Sequence, residues 1–294
     1  MTNELTRLVE EELLRPVDAK VSAMAAAVAA RHGEASRAVL FYGSCLREKK
    51  LDGLMLDFYL IVSDYAAAYD KGWLAKANAL IPPNVFPFQH DGLVAKYAVL
   101  SEADFAHECS LDAWTVSTAA RFAQPSRLVW VADGDARATA IGIVARAAPT
   151  LLAWTMSAME AGSILDFWRA AFANTFAAEL RAERLDRSAS LVDADPERYE
   201  RFGEAAFRHV PGERPANIEQ GRRWWRRKQL KGKLYSIPRL AKASFTFAGG
   251  AEYIAWKINR HAGTDIQLTD WQKRHPLFTA ISLLPTLLRL GAIR

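Results

Sequence analysis

Cysteine is scarce in this chain: Cys45 and Cys109 are the two among 294 residues. Two are too few for a disulfide framework, and such usage suits a reducing compartment. Neither stands in a Cys-x-x-Cys pair or at ligand spacing from a histidine, which argues against a structural zinc site. Long apolar runs are lacking too. The longest uncharged apolar stretches, 147–159 and 276–288, hold about thirteen residues, whereas a membrane-spanning helix needs about twenty. An integral membrane protein is therefore not expected. Glu4, Glu10, Glu11, Glu12 and Asp18 crowd the first thirty residues, an acidity that secretory and mitochondrial targeting segments avoid.

The remaining composition is ordinary for a folded protein. Apolar residues make up 51% and charged residues 24%, so disorder and low complexity are excluded as whole-chain descriptions. The length fits one large domain or two medium ones with a core that needs no covalent staples. The net charge of +5 hides an asymmetry. Residues 1–220 carry 23 Lys and Arg against 30 Asp and Glu, and residues 221–294 carry 15 against 3. From 221 to 251 there is no acidic residue at all. A basic end on an acidic body implies a polyanionic partner there, either membrane lipid or nucleic acid.

Patterning predicts a helix over 3–32 and strands over 38–42, 54–62, 94–100 and 128–132, with helices at 71–80 and 102–120 between them. The first 135 residues thus read as an α/β unit. From Arg137 the strand signal disappears, and helices are expected at 138–147, 151–184 and 196–208. The segment 210–218, with Pro211, Gly212 and Pro215, is the expected hinge before the basic region.

One constellation carries chemistry. The first strand stops at Gly43-Ser44, and about a dozen residues later Asp57 lies inside an apolar strand between Leu56 and Phe58. Burying such a carboxylate costs several kcal/mol unless it is paired or metal-bound. Glycine admits close backbone approach to phosphate, and a helix N-terminus favours anions. Two uses stay open for Asp57: a metal ligand, or a strand residue held by a nearby Lys or Arg.

The strand, Gly-Ser turn and strand carboxylate resemble the nucleotidyltransferase fold of the DNA polymerase beta superfamily. The resemblance extends further. FYGSC (41–45), MLDFYLIV (55–62), GLVAKYAVLS (92–101) and AARFAQP (119–125) follow the order and spacing of mitochondrial-type phosphatidate cytidylyltransferases, the translocator assembly and maintenance protein family. NTFAAELR (174–181) and SFTFAGG (244–250) resemble two later segments of that family. This implies an α/β fold: a nucleotidyltransferase sheet domain over 1–135, a mainly helical domain over 136–210, and a basic, membrane-associating region over 211–294.

The resemblance further implies a reaction: Mg²⁺-dependent transfer of CMP from CTP to phosphatidic acid, giving CDP-diacylglycerol and pyrophosphate. Gly43 and Ser44 would hold the triphosphate and Asp57 the metal. Lys96 and Arg121 would offset phosphate charge, and Tyr97 would line the nucleotide pocket. Glu179 and Arg181 fall at a further acid and arginine of the family. Each has a plainer alternative: Lys96 a solvated strand lysine, Arg121 a surface helix residue, Tyr97 a core residue. Cys45 reads as a packed loop thiol, since no histidine lies near it in sequence.

The sequence departs from the family in places. Cys45 stands for a third loop glycine, Gln124 for a lysine, Ala98 for a glycine and Glu179 for an aspartate, while Met55 and Tyr59 occupy the alternate strand positions where the superfamily places carboxylates. A second metal ligand must come from elsewhere, with Asp52, Asp64, Asp91 and Glu179 as candidates.

In the basic region, Arg222, Arg223, Arg226 and Arg227 surround Trp224 and Trp225. Tryptophan among cations suits an anionic headgroup layer, and 281–290 adds an apolar patch. Nucleic acid, gripped through its phosphates, is the other partner this charge allows. The expected enzyme is cytoplasmic and peripheral, on the inner face of the cell membrane of a bacterial-type cell. Two alternatives stand beside it: a nucleotidyltransferase acting on RNA or a small molecule, and a non-catalytic membrane-bound scaffold.

Overall fold

The computed structural model describes residues 3–48, 51, 54–179, 187–210, 217–246 and 267–274. Arg181, Asp52, the hinge residues 211–216, the end of the 244–250 motif and the apolar patch 281–290 lie outside them. The architecture is α/β, built on a mixed five-stranded sheet. β1 (Ser36–Tyr42), β2 (Met55–Val62), β3 (Asn84–His90), β4 (Leu93–Ser101) and β5 (Ser126–Val131) stand in the order β3-β4-β2-β1-β5. β2 and β4 are parallel, and the other neighbouring pairs are antiparallel.

Alternation along the strands divides the core in two. Ala38, Leu40, Tyr59, Ile61, Ala98 and Leu100 face one side. There they pack beneath α1 (Glu4–Leu13), α6 (Glu102–Glu108), α7 (Ser117–Phe122), α8 (Gly134–Met156), α9 (Ile164–Ala177), α10 (Arg187–Asp193) and α11 (Pro196–Phe207). Val39, Phe41, Phe58, Leu60, Tyr97 and Val99 face the other side. α2 (Ala19–Ala30) and α4 (Tyr65–Ala68) cover that face. The apolar cluster of the first face is continuous from the strands into α8, α9 and α11.

Several expectations shift by an element. The helix over 3–32 is two, α1 and α2, with Pro16 between them. The helix over 102–120 is also two. Glu108 turns the chain back at the break, its carboxylate accepting from the Trp114 amide at 3.1 Å and the Thr115 hydroxyl at 2.5 Å. α8 runs through Pro149 without stopping. The helix expected over 151–184 is instead interrupted after α8 and restarted by a capping box between Ser163 and Asp166. β3 is a strand the patterning missed: it carries Pro87 and lies at the sheet edge, the position in a sheet that tolerates proline. α8 has the length and hydropathy to cross a bilayer, but 72% of its apolar window is buried inside the fold.

The basic segment forms α12 (Ile218–Thr246) and packs on the body. Trp225 is 3% exposed, and its indole N–H donates to the Trp154 carbonyl at 3.0 Å. Trp224 is half-buried, its ring 5.5 Å from that of Trp154. Cβ atoms at Gly221 and Gly232 would collide with the Ser157 and Ala178 carbonyls, just past the ends of α8 and α9, so only glycine permits this approach. Arg222 donates to the Ala158 carbonyl at 3.4 Å, and Lys228 donates to that of Ala113. Lys242 donates to the Ile81 carbonyl at the end of α5 (Gly72–Leu80). Part of the basic charge is thus turned inward, onto carbonyls and helix ends that carry partial negative charge.

Candidate active site at one end of the sheet

β1 ends at Tyr42, and Gly43 turns the chain with φ +96° into the short helix α3 (Ser44–Glu48). A side chain is excluded at Gly43 for two reasons. Its φ lies in the left-handed region, and a Cβ would stand 2.9 Å from Asp57 Oδ2. The missing side chain leaves a cradle with that carboxylate oxygen on its wall. Cys45 is buried, and its thiol donates to the Met55 carbonyl at 3.3 Å, tying the turn to the start of β2. It is a packed loop thiol, as its sequence context suggested.

Register brings three side chains abreast. Asp57 pairs with Tyr42 across β1 and with Lys96 across β4. Lys96 Nζ lies 2.9 Å from Asp57 Oδ1, with the two side chains 26% and 19% exposed. A lysine therefore holds the strand carboxylate, which was one of the two uses left open by the sequence. The contact is a charge pair outside hydrogen-bond alignment.

Two strand positions on, Tyr59 shares the face of Asp57. Its hydroxyl accepts from Arg121 Nη1 at 2.7 Å. The guanidinium lies 5.9 Å from the ring centroids of both Tyr42 and Tyr59, and its Nη2 is 3.8 Å from Glu179 Oε1. Arg121 is thus a buried-edge cation and not a surface helix residue. Burial acts to lower its pKa, but Tyr59, Tyr42 and Glu179 together raise it well above its ordinary value. Burial, reinforced by the Asp57 charge, raises the Tyr42 hydroxyl well above the usual phenol range. Tyr42 therefore stays neutral beside the carboxylate, and the Tyr59 hydroxyl orients Arg121. Sequence reasoning missed both tyrosines, although the two-residue spacing of Tyr59 from Asp57 was a usable signal.

Tyr97 requires a correction. It follows Lys96 directly, so the pleat sends it to the opposite face. It is 2% exposed there, among Phe86, Phe88 and His32, with its hydroxyl 3.2 Å from His32 Nε2. Burial pushes its pKa up to about 12. Tyr97 is a core residue and cannot line a pocket that contains Lys96.

The candidates for a second acid also separate. Asp64 caps α4 beyond the far end of β2, accepting from the Ala67 amide at 2.9 Å. Asp91 sits in the β3–β4 turn, 71% exposed and 3.6 Å from His90. Glu179, by contrast, shares Tyr42 with Asp57 as a neighbour and pairs with Arg121. Gln124 donates to the Ala120 carbonyl at 2.8 Å and closes α7. Neither the scan against protein-family models nor the search of curated proteins finds a match to this chain.

Among the described residues no three His, Cys, Asp or Glu side chains gather as a ready metal cage. Mg²⁺ does not demand one. It keeps several waters and is commonly held by one or two carboxylates together with substrate phosphates. The Gly43 cradle, with Asp57 Oδ2 facing it, fits that sparse kind of site.

Among the membrane candidates, Arg222, Arg223, Arg226 and Arg227 are exposed on α12. Trp224 and Trp225 are not. Their rings pack against Trp154 and anchor the helix to the body, which corrects the expectation that they enter a headgroup layer.

Proposed function

We propose that this chain is a phosphatidate cytidylyltransferase, transferring CMP from CTP to the phosphate of phosphatidic acid at the surface of an anionic membrane on its cytoplasmic side. One observation carries the proposal: a glycine turn that a Cβ would block meets a strand carboxylate, a lysine and an arginine at one end of the sheet. The surrounding topology supports it. An antiparallel β1–turn–helix–β2 unit followed by a parallel β4 is compatible with a nucleotidyltransferase sheet.

The chemistry asks little of the protein beyond placement and charge. The lipid phosphate is already an anionic nucleophile and needs no general base. One of its oxygens attacks the α-phosphorus of CTP, the bond to the bridging oxygen of the β-phosphate breaks, and pyrophosphate leaves. The Gly43-Ser44 turn lets backbone approach the triphosphate, while Lys96 and Arg121 face the negative charge gathering on the leaving group. Lys96 is paired with Asp57, so an entering phosphate competes with the carboxylate for it. The Tyr59 hydroxyl and Glu179 hold the Arg121 guanidinium in place. Asp57, with Glu179 as the second acid that acts on Tyr42, would hold Mg²⁺, which when bound supplies further neutralisation of phosphate charge.

The Lys96–Asp57 ion pair favours a second reading as well, a membrane-bound scaffold whose carboxylate is committed to the lysine. Calorimetric titration with CTP in the presence of Mg²⁺ separates the two. CTP binding is expected in the unmodified chain. Lys96→Ala and Arg121→Ala should each weaken it by ten- to a hundredfold, the worth of a charge-assisted hydrogen bond of about 1.5–3 kcal/mol. Unchanged affinity in both variants would remove these side chains from the triphosphate.

A further inference from the structure

α12 divides its cations between two faces. Lys228 and Lys242 turn inward onto carbonyls of the body, and Arg222, though exposed, donates to the Ala158 carbonyl. Arg223, Arg226, Arg227 and Lys231 face outward, with Arg223 also 3.7 Å from Glu219 one turn back. Two leucines share that outward face, Leu230 at 61% and Leu234 at 58% exposure. At 100° per residue, these six positions fall within an arc of about 140°, with the leucines near its middle.

The apolar surface continues beyond the helix. A groove of about 550 Å³ runs between α12 and the loop after α6, lined by Asp112, Trp114, Lys228, Lys231, Leu234 and Tyr235. Trp114 stands 52% exposed on its far wall, its ring edge-on to His107. The Asp112 carboxylate is offset by the neighbouring Lys228. Past Tyr235, whose hydroxyl donates to the Leu80 carbonyl at 3.4 Å, Leu80 extends the patch at 76% exposure.

We propose that this outward face of α12, with Trp114 across the groove, is the docking surface for an anionic lipid bilayer. Charge complementarity selects a polyanion, and the position of the leucines selects lipid over nucleic acid. Apolar side chains at the centre of a cationic face contribute nothing to phosphate contacts along RNA. On a bilayer they enter the boundary between headgroups and acyl chains while the surrounding cations meet the headgroups. Trp114 supplies the aromatic ring suited to that boundary, in place of the inward Trp224 and Trp225. The inference deepens the membrane part of the proposed function but does not depend on chemistry at Asp57.

The test is co-sedimentation of the full chain with vesicles of phosphatidylcholine alone or mixed with phosphatidylglycerol. Binding to the mixed vesicles is expected, declining as salt rises. Leu230→Ser with Leu234→Ser should weaken it about tenfold or more and leave the salt dependence unchanged. Arg226→Gln, Arg227→Gln and Lys231→Gln together should weaken it and flatten the salt dependence. All five positions are solvent-facing, so thermal melting should not move. Asp57→Asn should bind vesicles as the unmodified chain does, which keeps a failure of catalysis distinct from a failure of docking. Normal vesicle binding by the leucine pair would overturn the proposal. So would a charge variant that keeps vesicle binding while losing affinity for RNA.

Discussion

Asp57→Asn is expected to lower Mg²⁺-dependent turnover of CTP by about a thousandfold, or about 4 kcal/mol of transition-state stabilisation. Asparagine keeps the shape of the side chain and removes its charge, so the Gly43 cradle stays open while the anion on its wall is lost. The fold should hardly respond. Lys96 is 26% exposed and can turn to water once its partner is neutral, so no charge is left stranded in the interior. A matching circular dichroism melt with turnover gone would place Asp57 in the chemistry. Full turnover in the variant would contradict that placement and leave the aspartate as a strand residue balanced by its lysine.

The largest effect on stability is expected at Arg198. This residue of α11 forms a two-pronged pair with Glu12 of α1, Nε to Oε2 at 2.6 Å and Nη2 to Oε1 at 2.8 Å. Both side chains are less than a tenth exposed. Nη1 also donates to the Ala123 carbonyl at the end of α7 at 3.2 Å, and the guanidinium lies 4.2 Å from the Phe202 ring centroid. Arg198→Ala strands the Glu12 carboxylate in the interior and should cost about 3–5 kcal/mol in urea unfolding. Replacing both partners by apolar residues of similar volume, Glu12→Leu with Arg198→Met, leaves no charge unpaired and should recover most of the loss. A cost below about 1 kcal/mol for Arg198→Ala would show that the pair does not tie these elements together. The tie also reaches function, because α7 carries Arg121 two residues before Ala123.

Sequence patterning located four of the five strands because each is an apolar run ending at a turn residue. Pro87 disguised β3, since a proline demotes a strand pattern wherever the edge position is unknown. Pro149 misled in the opposite direction, suggesting a helix end where α8 continues. Gly43, Asp57, Lys96 and Arg121 were legible as residue types in an order. Their meeting depends on the parallel register of β2 with β4 and on a contact between Arg121 and Tyr59 across 62 residues, neither of which is local. Tyr97 could have been read correctly, because neighbours on a strand cannot share a pocket. The side taken by Trp224 and Trp225 was hidden by composition, which counts cations and aromatics without saying which face of a helix each occupies.

The central proposal, cytidylyl transfer to a lipid phosphate, is tested most directly by release of pyrophosphate from each of the four nucleoside triphosphates, with and without phosphatidic acid in vesicles. Release is expected with CTP far above the other three, only when phosphatidic acid and Mg²⁺ are both present, and with CDP-diacylglycerol appearing in equal amount. No release with any nucleotide, or release that ignores the lipid and follows added RNA, would contradict it.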